Sequence, residues 1–509
     1  MSMQKAAGAA LFLLPAFPAT AQTSQLGLER LVRDQAAALE AQQASFQVLP
    51  ALRKKVAALE RRLAALEPVV QETAVTAAEV AKARPVVETR LDRLERLRNL
   101  PAGNAAMRPA SDPLTAPSPS QAANVDDESF DWTKGLPQIT SADGKSAMRL
   151  RGRMLFDTSS SFGSNFDRRN ITGTKARAIR LGVEGKLGDM IGYQVEFDLT
   201  DNQAALRGAY LSFTKKWGDN IYELSLGNRL TDRSMEGASS SDSQPFLERN
   251  ATALATAPRK GSFGLGAMAR VYGKTWHAAV QLDGNEASTN GSVSDSTTLT
   301  GRVHWNPWRN SEAIVHLGAW GYREDFSSGV ASIPLSTRIG GRFNELITVQ
   351  ASSLLDPDHG QAFGLELGGV YKSFWMFGEY GERDVWARDS AGGRHVGVRA
   401  GSIGTGVYLT GEKPPYVARG GVWSKPRVLR PITDGGWGAV EIAARYDQVS
   451  YSGPLGGEGY STTLGLNWYL LDWVRVTPNW IRWRTENRAG AFAGADEGNT
   501  VVGRVAVSF

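Results

Sequence analysis

The chain has 509 residues, 42% of them hydrophobic, a formal net charge of +5 and no cysteine. No run of about 20 apolar residues is present to make a spanning helix. The lack of cysteine excludes disulfides, thiolate metal sites and cysteine nucleophiles, and so small a net charge gives no footing for nucleic acid. What stands out is 55 glycines and 14 tryptophans, which suit a curved sheet with an interfacial aromatic girdle.

Residues 1–21 read as a signal peptide. Lys5 supplies the positive start, Ala6 to Phe17 the apolar stretch, and Ala19-Thr20-Ala21 a small-x-small cleavage site. The stretch is too short for an anchor and carries Pro15 and Pro18. Residues 22–98 read as a periplasmic coiled coil. A 3-4 spacing runs through Leu49, Leu52, Val56, Leu59, Leu63, Leu66 and Val70, and continues in register at Val80, Val87, Leu91 and Leu94. Gln35, Gln42 and Arg84 interrupt the seam, and Pro50, Pro68 and Pro85 break or kink the helix. Residues 99–128 carry five prolines among Ala, Ser and Asn, the composition of a linker.

From 129 to 509 the period changes to two. Tyr193, Val195, Phe197 and Leu199 alternate with Gln194, Glu196 and Asp198, and Leu464, Leu466, Trp468 and Leu470 alternate with Thr463, Gly465, Asn467 and Tyr469. The segments run about 10 residues, the length of tilted membrane strands. Aromatics cluster at their ends, as at Trp305 and Trp308, and the chain finishes on an alternating strand ending in Phe509. Such a terminus is the assembly signal for the outer-membrane machinery that builds barrels. The expected fold is an all-β transmembrane antiparallel barrel of about 16 strands, with 18 as the fallback, in the cell outer membrane and preceded by the periplasmic stalk. Short turns are expected at Gly188-Asp189 and Leu471-Asp472. The stretches 229–258, 284–296, 322–334, 351–361 and 412–436 are expected to be extracellular or to fold inward.

Several stretches, in order, resemble the phosphate-selective porin O and P family. They are Phe130-Asp131-Trp132-Thr133-Lys134-Gly135-Leu136-Pro137-Gln138, Leu150-Arg151-Gly152-Arg153, Arg180-Leu181-Gly182-Val183-Glu184-Gly185-Lys186-Leu187-Gly188, Leu409-Thr410-Gly411-Glu412-Lys413 and Trp437 to Tyr446. The resemblance implies a homotrimeric 16-stranded porin whose constriction binds phosphate or polyphosphate, and a coiled-coil prefix would suit a trimer. The chain departs from the family pattern at the strand entering the main inward loop. It reads Leu226-Gly227-Asn228-Arg229-Leu230-Thr231-Asp232-Arg233 there, with a Ser- and Asp-containing stretch after it at 239–243.

With Met148, Leu150 and Met154 facing lipid, Arg149, Arg151 and Arg153 become a ladder on the lumen side. Arg180 and Lys186 come next on the neighbouring strand, Arg445 and Arg504 project inward by the same alternation, and Arg229 and Arg233 are loop candidates. Guanidinium rings favour anions and pair bidentately with phosphate. Glu184, Glu196, Asp198, Glu441 and Asp447 share these inward faces, so Arg–carboxylate pairing could cancel much of the field. The function read from this pattern is a water-filled channel for small anions. The alternative is a general-diffusion porin whose stalk tethers the outer membrane to the periplasm or peptidoglycan. No cofactor or metal is expected, and none of the five histidines sits in a recognisable catalytic setting. The expected partners are outer-membrane lipid, small anions, the barrel-assembly machinery and two further copies of the chain.

Overall fold

Alternating apolar and polar residues satisfy a sheet with lipid on one side and water on the other. Backbone polar groups in lipid must all be paired, so the sheet has to close on itself. The computed structural model describes residues 129–133, 136–200, 203–287, 295–388 and 394–509. The expected signal peptide, coiled coil and linker lie outside these residues.

A short hairpin, β1 (Ser129–Thr133) and β2 (Leu136–Thr140), comes first. Next are β3 (Ala147–Phe162), β4 (Thr172–Leu187), β5 (Ile191–Asp198), β6 (Ala205–Trp217) and β7 (Asn220–Leu230). A long loop, 231–262, carries two short helices, α1 (Met235–Ala238) and α2 (Ala251–Ala255). It leads to β8 (Phe263–Tyr272), β9 (Trp276–Asp283), β10 (Ser296–Trp305) and β11 (Ala313–Phe326). A second long loop, 327–356, folds into two small ladders, β12 (Ser332–Ile333) with β15 (Leu354–Leu355) and β13 (Ser336–Arg338) with β14 (Thr348–Gln350). The wall resumes with β16 (Pro357–Tyr371), β17 (Phe374–Ala387) and β18 (His395–Tyr408). Segment 409–438 forms a two-residue ladder of β19 (Tyr416–Val417) and β20 (Val422–Trp423). Finally come β21 (Ala439–Tyr451), β22 (Glu458–Leu471), β23 (Val474–Asn487) and β24 (Gly494–Ser508).

The strands β3–β11, β16–β18 and β21–β24 pair antiparallel with their neighbours, and β24 returns to β3 from Asn499↔Phe162 to Ser508↔Arg153. The result is a closed 16-stranded barrel. The hairpin β1–β2 extends the start of β3 through Gln138↔Arg149 to Thr140↔Ala147.

One end of the barrel carries tight turns, among them 188–190, Gly218-Asp219 and 472–473, and the other carries the longer connections. Gly218 sits at φ +60°, a conformation a two-residue hairpin turn needs and glycine supplies without strain. The stretches expected as separate loops at 322–334 and 351–361 are the two ends of the single loop 327–356. Segment 412–436 enters from the tight-turn end.

The outer surface is apolar, with Leu265, Val280, Leu299, Leu365, Leu367, Ile403, Leu464 and Val505 exposed in a band. Trp217, Tyr222, Trp276, Trp305, Tyr371 and Phe374 ring the tight-turn end. This is the girdle expected where aromatic rings meet lipid headgroups. An arginine turned to the lipid midplane costs about 2–4 kcal/mol, enough to fix which face of each strand points in.

Candidate functional site

The interior is where this barrel is specialised, because three chain segments fill much of it, two from the long-loop end and one from the tight-turn end. Loop 231–262 enters from the long-loop end. Its irregular backbone leaves carbonyls that cannot pair within the loop, and wall side chains donate to them instead. Arg475 Nη1 reaches Gln244 O at 2.7 Å, Asn467 Nδ2 reaches Pro245 O at 2.7 Å, Arg504 Nη1 reaches Leu247 O at 2.9 Å and Arg445 Nη1 reaches Glu248 O at 2.9 Å. The N-cap Asn250 accepts from Ala253 N at 2.8 Å, and Ala251 N donates to Asp447 on the wall at 2.8 Å. Loop 327–356 adds Ile347, Val349 and Leu354 to an apolar cluster with Val449, Ile481 and Trp483.

Segment 409–438 crosses the lumen as a bar. Tyr416 meets His316 of β11 through its hydroxyl at 2.6 Å, and β10 takes the next turn. Arg302 donates to Gly420 O and Gly421 O at 3.1 and 2.7 Å, and His304 and Asn306 hold Ala418 O at 2.9 Å each. Trp423 then packs edge-on against Trp375 and Phe377, with ring centroids 5.0 and 5.1 Å away. Its amide donates to Ser239 Oγ of the other inward loop at 2.8 Å. Lys425 ends the crossing between Asp242, at 3.2 Å, and Ser508 O, at 2.8 Å.

These segments seal the inner faces of β9–β11, β16–β18 and β21–β24. Arg302, His316, Glu366, Asn467, Thr477 and Arg504 are all almost inaccessible. The inner face of β3–β6 is the less covered one: the side chain of Arg149 is 49% exposed, Arg207 29% and Arg151 22%, although Arg153, Asp157, Glu196 and Asp198 on it are buried. The more open side of the barrel is thus a wall rich in arginine.

Along that wall the cations are graded against a smaller set of carboxylates. Arg149 pairs with Glu184. Arg151 Nη1 lies 2.5 Å from Glu184 and 2.6 Å from Gln194, and its Nε lies 3.1 Å from Glu196. Arg153 reaches Asp242 at 3.2 Å and the hydroxyls of Ser240 and Ser241 at 3.1 Å, tying the wall to the inward loop. Arg180 bridges Asp198 at 3.0 Å and Glu196 at 3.3 Å. Lys186 shares the face of Glu184 at the tight-turn end. Burial opposes the charge on Asp242, but Arg153 and Lys425 outweigh it and hold its carboxyl well below the usual range. Burial likewise opposes the charge on Glu248, and Arg177, Arg504 and Arg342 together bring its pKa below the ordinary value.

Of the residues singled out in the sequence, Arg149, Arg151, Arg153, Arg180 and Lys186 come together on the wall of β3 and β4, where Arg153 is buried under loop 231–262. Arg229 stacks on Tyr210, its guanidinium 4.5 Å from the ring, and pairs with Glu223. Arg233, Arg445 and Arg504 are sealed. Arg233 braces α2 through Ala253 O at 2.7 Å and Thr256 Oγ1 at 2.8 Å. Arg445 pairs with Asp447 at 2.7 Å, and Arg504 grips Asp157 with two bonds of 2.6 and 2.7 Å. Phe509 closes the last strand onto Gly152.

Period-two reading misses Arg177 and Arg207, and the reason is local. A register shift falls between Leu155 and Phe156 in the β3–β4 ladder and another between Glu196 and Phe197 in the β5–β6 ladder. Each bulge adds a residue and reverses the parity of the residues beyond it, so Arg177 and Arg180 both point inward although they are three positions apart. Arg177 lies 3.6 Å from Glu248, and Arg207 lies 2.9 Å from Glu286. Arg342 of loop 327–356 joins them electrostatically, within reach of Glu248 and Arg207.

A closed antiparallel barrel with an apolar outer band, aromatic girdles and a charged interior narrowed by inward segments is an outer-membrane porin. The family model for phosphate-selective porin O and P matches residues 148–509, and the chain belongs to that family. It is 26% identical over 448 residues to an uncharacterised protein of Caulobacter vibrioides, covering 80% of this chain and 84% of that one. Among solved structures it is similar to OmpT of Vibrio cholerae, with a TM-score of 0.46 and 11% identity over 72% of this chain and 98% of that one. It is also similar to an anion-selective porin from Comamonas acidovorans, with a TM-score of 0.42 and 15% identity over 72% of this chain and 100% of that one.

Proposed function

We propose that this porin is a homotrimeric channel that prefers small anions, with phosphate or polyphosphate as the solute its arginines suit. The observation that carries the reading is the composition of the open wall. Arg149, Arg151, Arg153, Lys175, Arg177, Arg180, Lys186 and Arg207 stand on the inner faces of β3, β4 and β6, with Arg342 of loop 327–356 nearby, against Asp157, Glu184, Glu196 and Asp198 on the strands and Asp242, Glu248 and Glu286 on the connections. Pairing lowers the field without cancelling it. The Nε atoms of Arg177 and Arg207 are buried and lie 3.6 Å from Glu248 and Asp198, beyond hydrogen-bond distance. Fixed positive charge in a narrow path offsets an anion's lost hydration and raises its local concentration.

The trimer rests on the family resemblance and on the heptads of residues 22–98, read as a periplasmic coiled coil. The test is the reversal potential of single channels under a salt gradient, then phosphate titration of the chloride current. Anion preference with block at low phosphate supports the reading. A cation-preferring or unselective pore indifferent to phosphate overturns it.

A further inference from the structure

After crossing the lumen, segment 409–438 does not run straight into β21. Val428 packs with Tyr408, Ala439 and Tyr469, and its amide donates to Asp472 Oδ1 at 2.7 Å. The residues that follow leave the lumen and close on themselves as a knob. A single 3-10 turn, Ile432–Asp434, lies within it. Gly436 N donates to Pro431 O and Gly438 N donates to Arg430 O, each at 2.9 Å. Gly438, at φ +76°, joins the knob to the wall so closely that a Cβ there would lie 2.3 Å from Tyr469 O. The knob is therefore held in one shape, and its side chains cannot fold back under it.

Its position is on the lipid side of the wall. Trp468 alternates with Leu464 and Leu466 on the exposed outer face of β22, and its Nε1 donates to Trp437 O at 2.7 Å. Trp437 itself is 83% exposed, more than any other large apolar side chain among the described residues. Leu429 and Ile432 are exposed with it. Tight turns of such barrels face the periplasm, so the layer beside the knob is the headgroup region of the inner leaflet, where tryptophan is favoured.

Charge completes the surface. Arg427 and Arg430 stand on either side of Leu429, both exposed, and neither guanidinium has a partner among the described residues. The one carboxylate of the knob, Asp434, accepts from Thr433 Oγ1 at 3.1 Å. Asp472 and Glu412, the other acids close by, accept the amides of Val428 and Leu429. Two cations thus sit at the rim of an apolar surface continuous with the lipid-facing wall.

We propose that residues 427–437 are a binding site for an anionic phospholipid of the inner leaflet. Its phosphate sits on Arg427 and Arg430, since guanidinium takes phosphate oxygens in pairs. Its acyl chains run along Leu429, Ile432 and Trp437 and onto the outer face of β22. A lipid held there pegs the outer end of segment 409–438, as the bonds to Ala418, Gly420 and Gly421 hold its middle. The site lies outside the lumen and stands whichever solute the pore prefers.

Fluorescence quenching by brominated phospholipid on the full-length protein in phosphatidylcholine vesicles tests the site. The emission lost in Trp437→Phe isolates the contribution of Trp437. Traces of brominated phosphatidylglycerol should quench that contribution, with an apparent affinity about fivefold or more above that of brominated phosphatidylcholine. Arg427→Gln combined with Arg430→Gln should keep the quenching and lose the preference. Should that double variant fail to assemble, about 0.5 M salt should abolish the preference in the natural protein instead. The site is refuted if Trp437 is not quenched, if the two lipids quench it equally, or if the preference survives both the double variant and salt. Trp437→Cys that oxidises to a dimer between copies in the membrane would also refute it, since the knob would then meet a second chain.

Discussion

Gly152 and Phe509 exchange both of their backbone hydrogen bonds, at 3.0 and 2.9 Å, and the Phe509 ring lies where a side chain on Gly152 would have to go. A Cβ there would sit 2.6 Å from the ring. The last residue of the chain thus sutures the first barrel strand, and the glycine exists to admit the aromatic terminus. Gly152→Val should sharply reduce the folded fraction, read as loss of the compact, heat-modifiable band on gels. Gly503→Ala is the control, because its added carbon meets Thr158 at an ordinary 3.5 Å. Equal folding of both variants would refute the suture.

Inward arginines divide into two kinds, and the two should respond differently to removal. Arg169 is fully buried, 2.7 Å from Asp496 and 4.3 Å over the Phe492 ring. Arg169→Ala leaves a buried carboxylate unpaired, a loss of about 3–5 kcal/mol, and should lower thermal stability while selectivity holds. A change of selectivity without a change in stability would contradict this placement.

On the open wall the opposite is expected. Arg149→Glu, at the most exposed arginine of the wall, places a carboxylate beside Glu184 and should cut the anion-to-cation permeability ratio about threefold or more, with little change in melting. Arg177→Gln, which removes a charge the periodicity hides, should weaken phosphate block of the chloride current. An unaltered block would exclude Arg177 from the anion path.

Asp242 ties β3 through Arg153 to segment 409–438 through Lys425, each at 3.2 Å. Its pKa is depressed in the folded state, so its stabilisation is fully present above the unfolded value of about 3.9 and fades as pH falls below it. Asp242→Asn should lower thermal stability at neutral pH. The gap from the natural protein should close as pH drops from about 4 toward the folded value. A constant gap across that range would show that packing, not charge, makes the link.

Much of the wall is legible in the sequence because lipid enforces period two. Met148, Leu150 and Met154 face out and Arg149, Arg151 and Arg153 face in, as alternation requires. Parity fails at bulges, which leave no mark in composition, and so Arg177 and Arg207 escape it. The sealed arginines look the same as the open ones from sequence. Arg445 and Arg504 lie on inward faces, but which of those faces a folded-in loop covers depends on contacts more than 190 residues apart, such as Arg445 with Glu248. The crossing of segment 409–438 rests in part on bonds to its backbone carbonyls, and these carry no side-chain signature.

The proposed channel routes solute along β3–β6 and not along the sealed side. With no native cysteine, single cysteines can report the route through an anionic methanethiosulfonate reagent. Gln194→Cys stands on the open wall beside Arg151, and Thr463→Cys stands on the buried inner face of β22. Single-channel current should fall rapidly for Gln194→Cys and stay constant for Thr463→Cys. Equal modification of both, or of Thr463→Cys alone, would contradict the route.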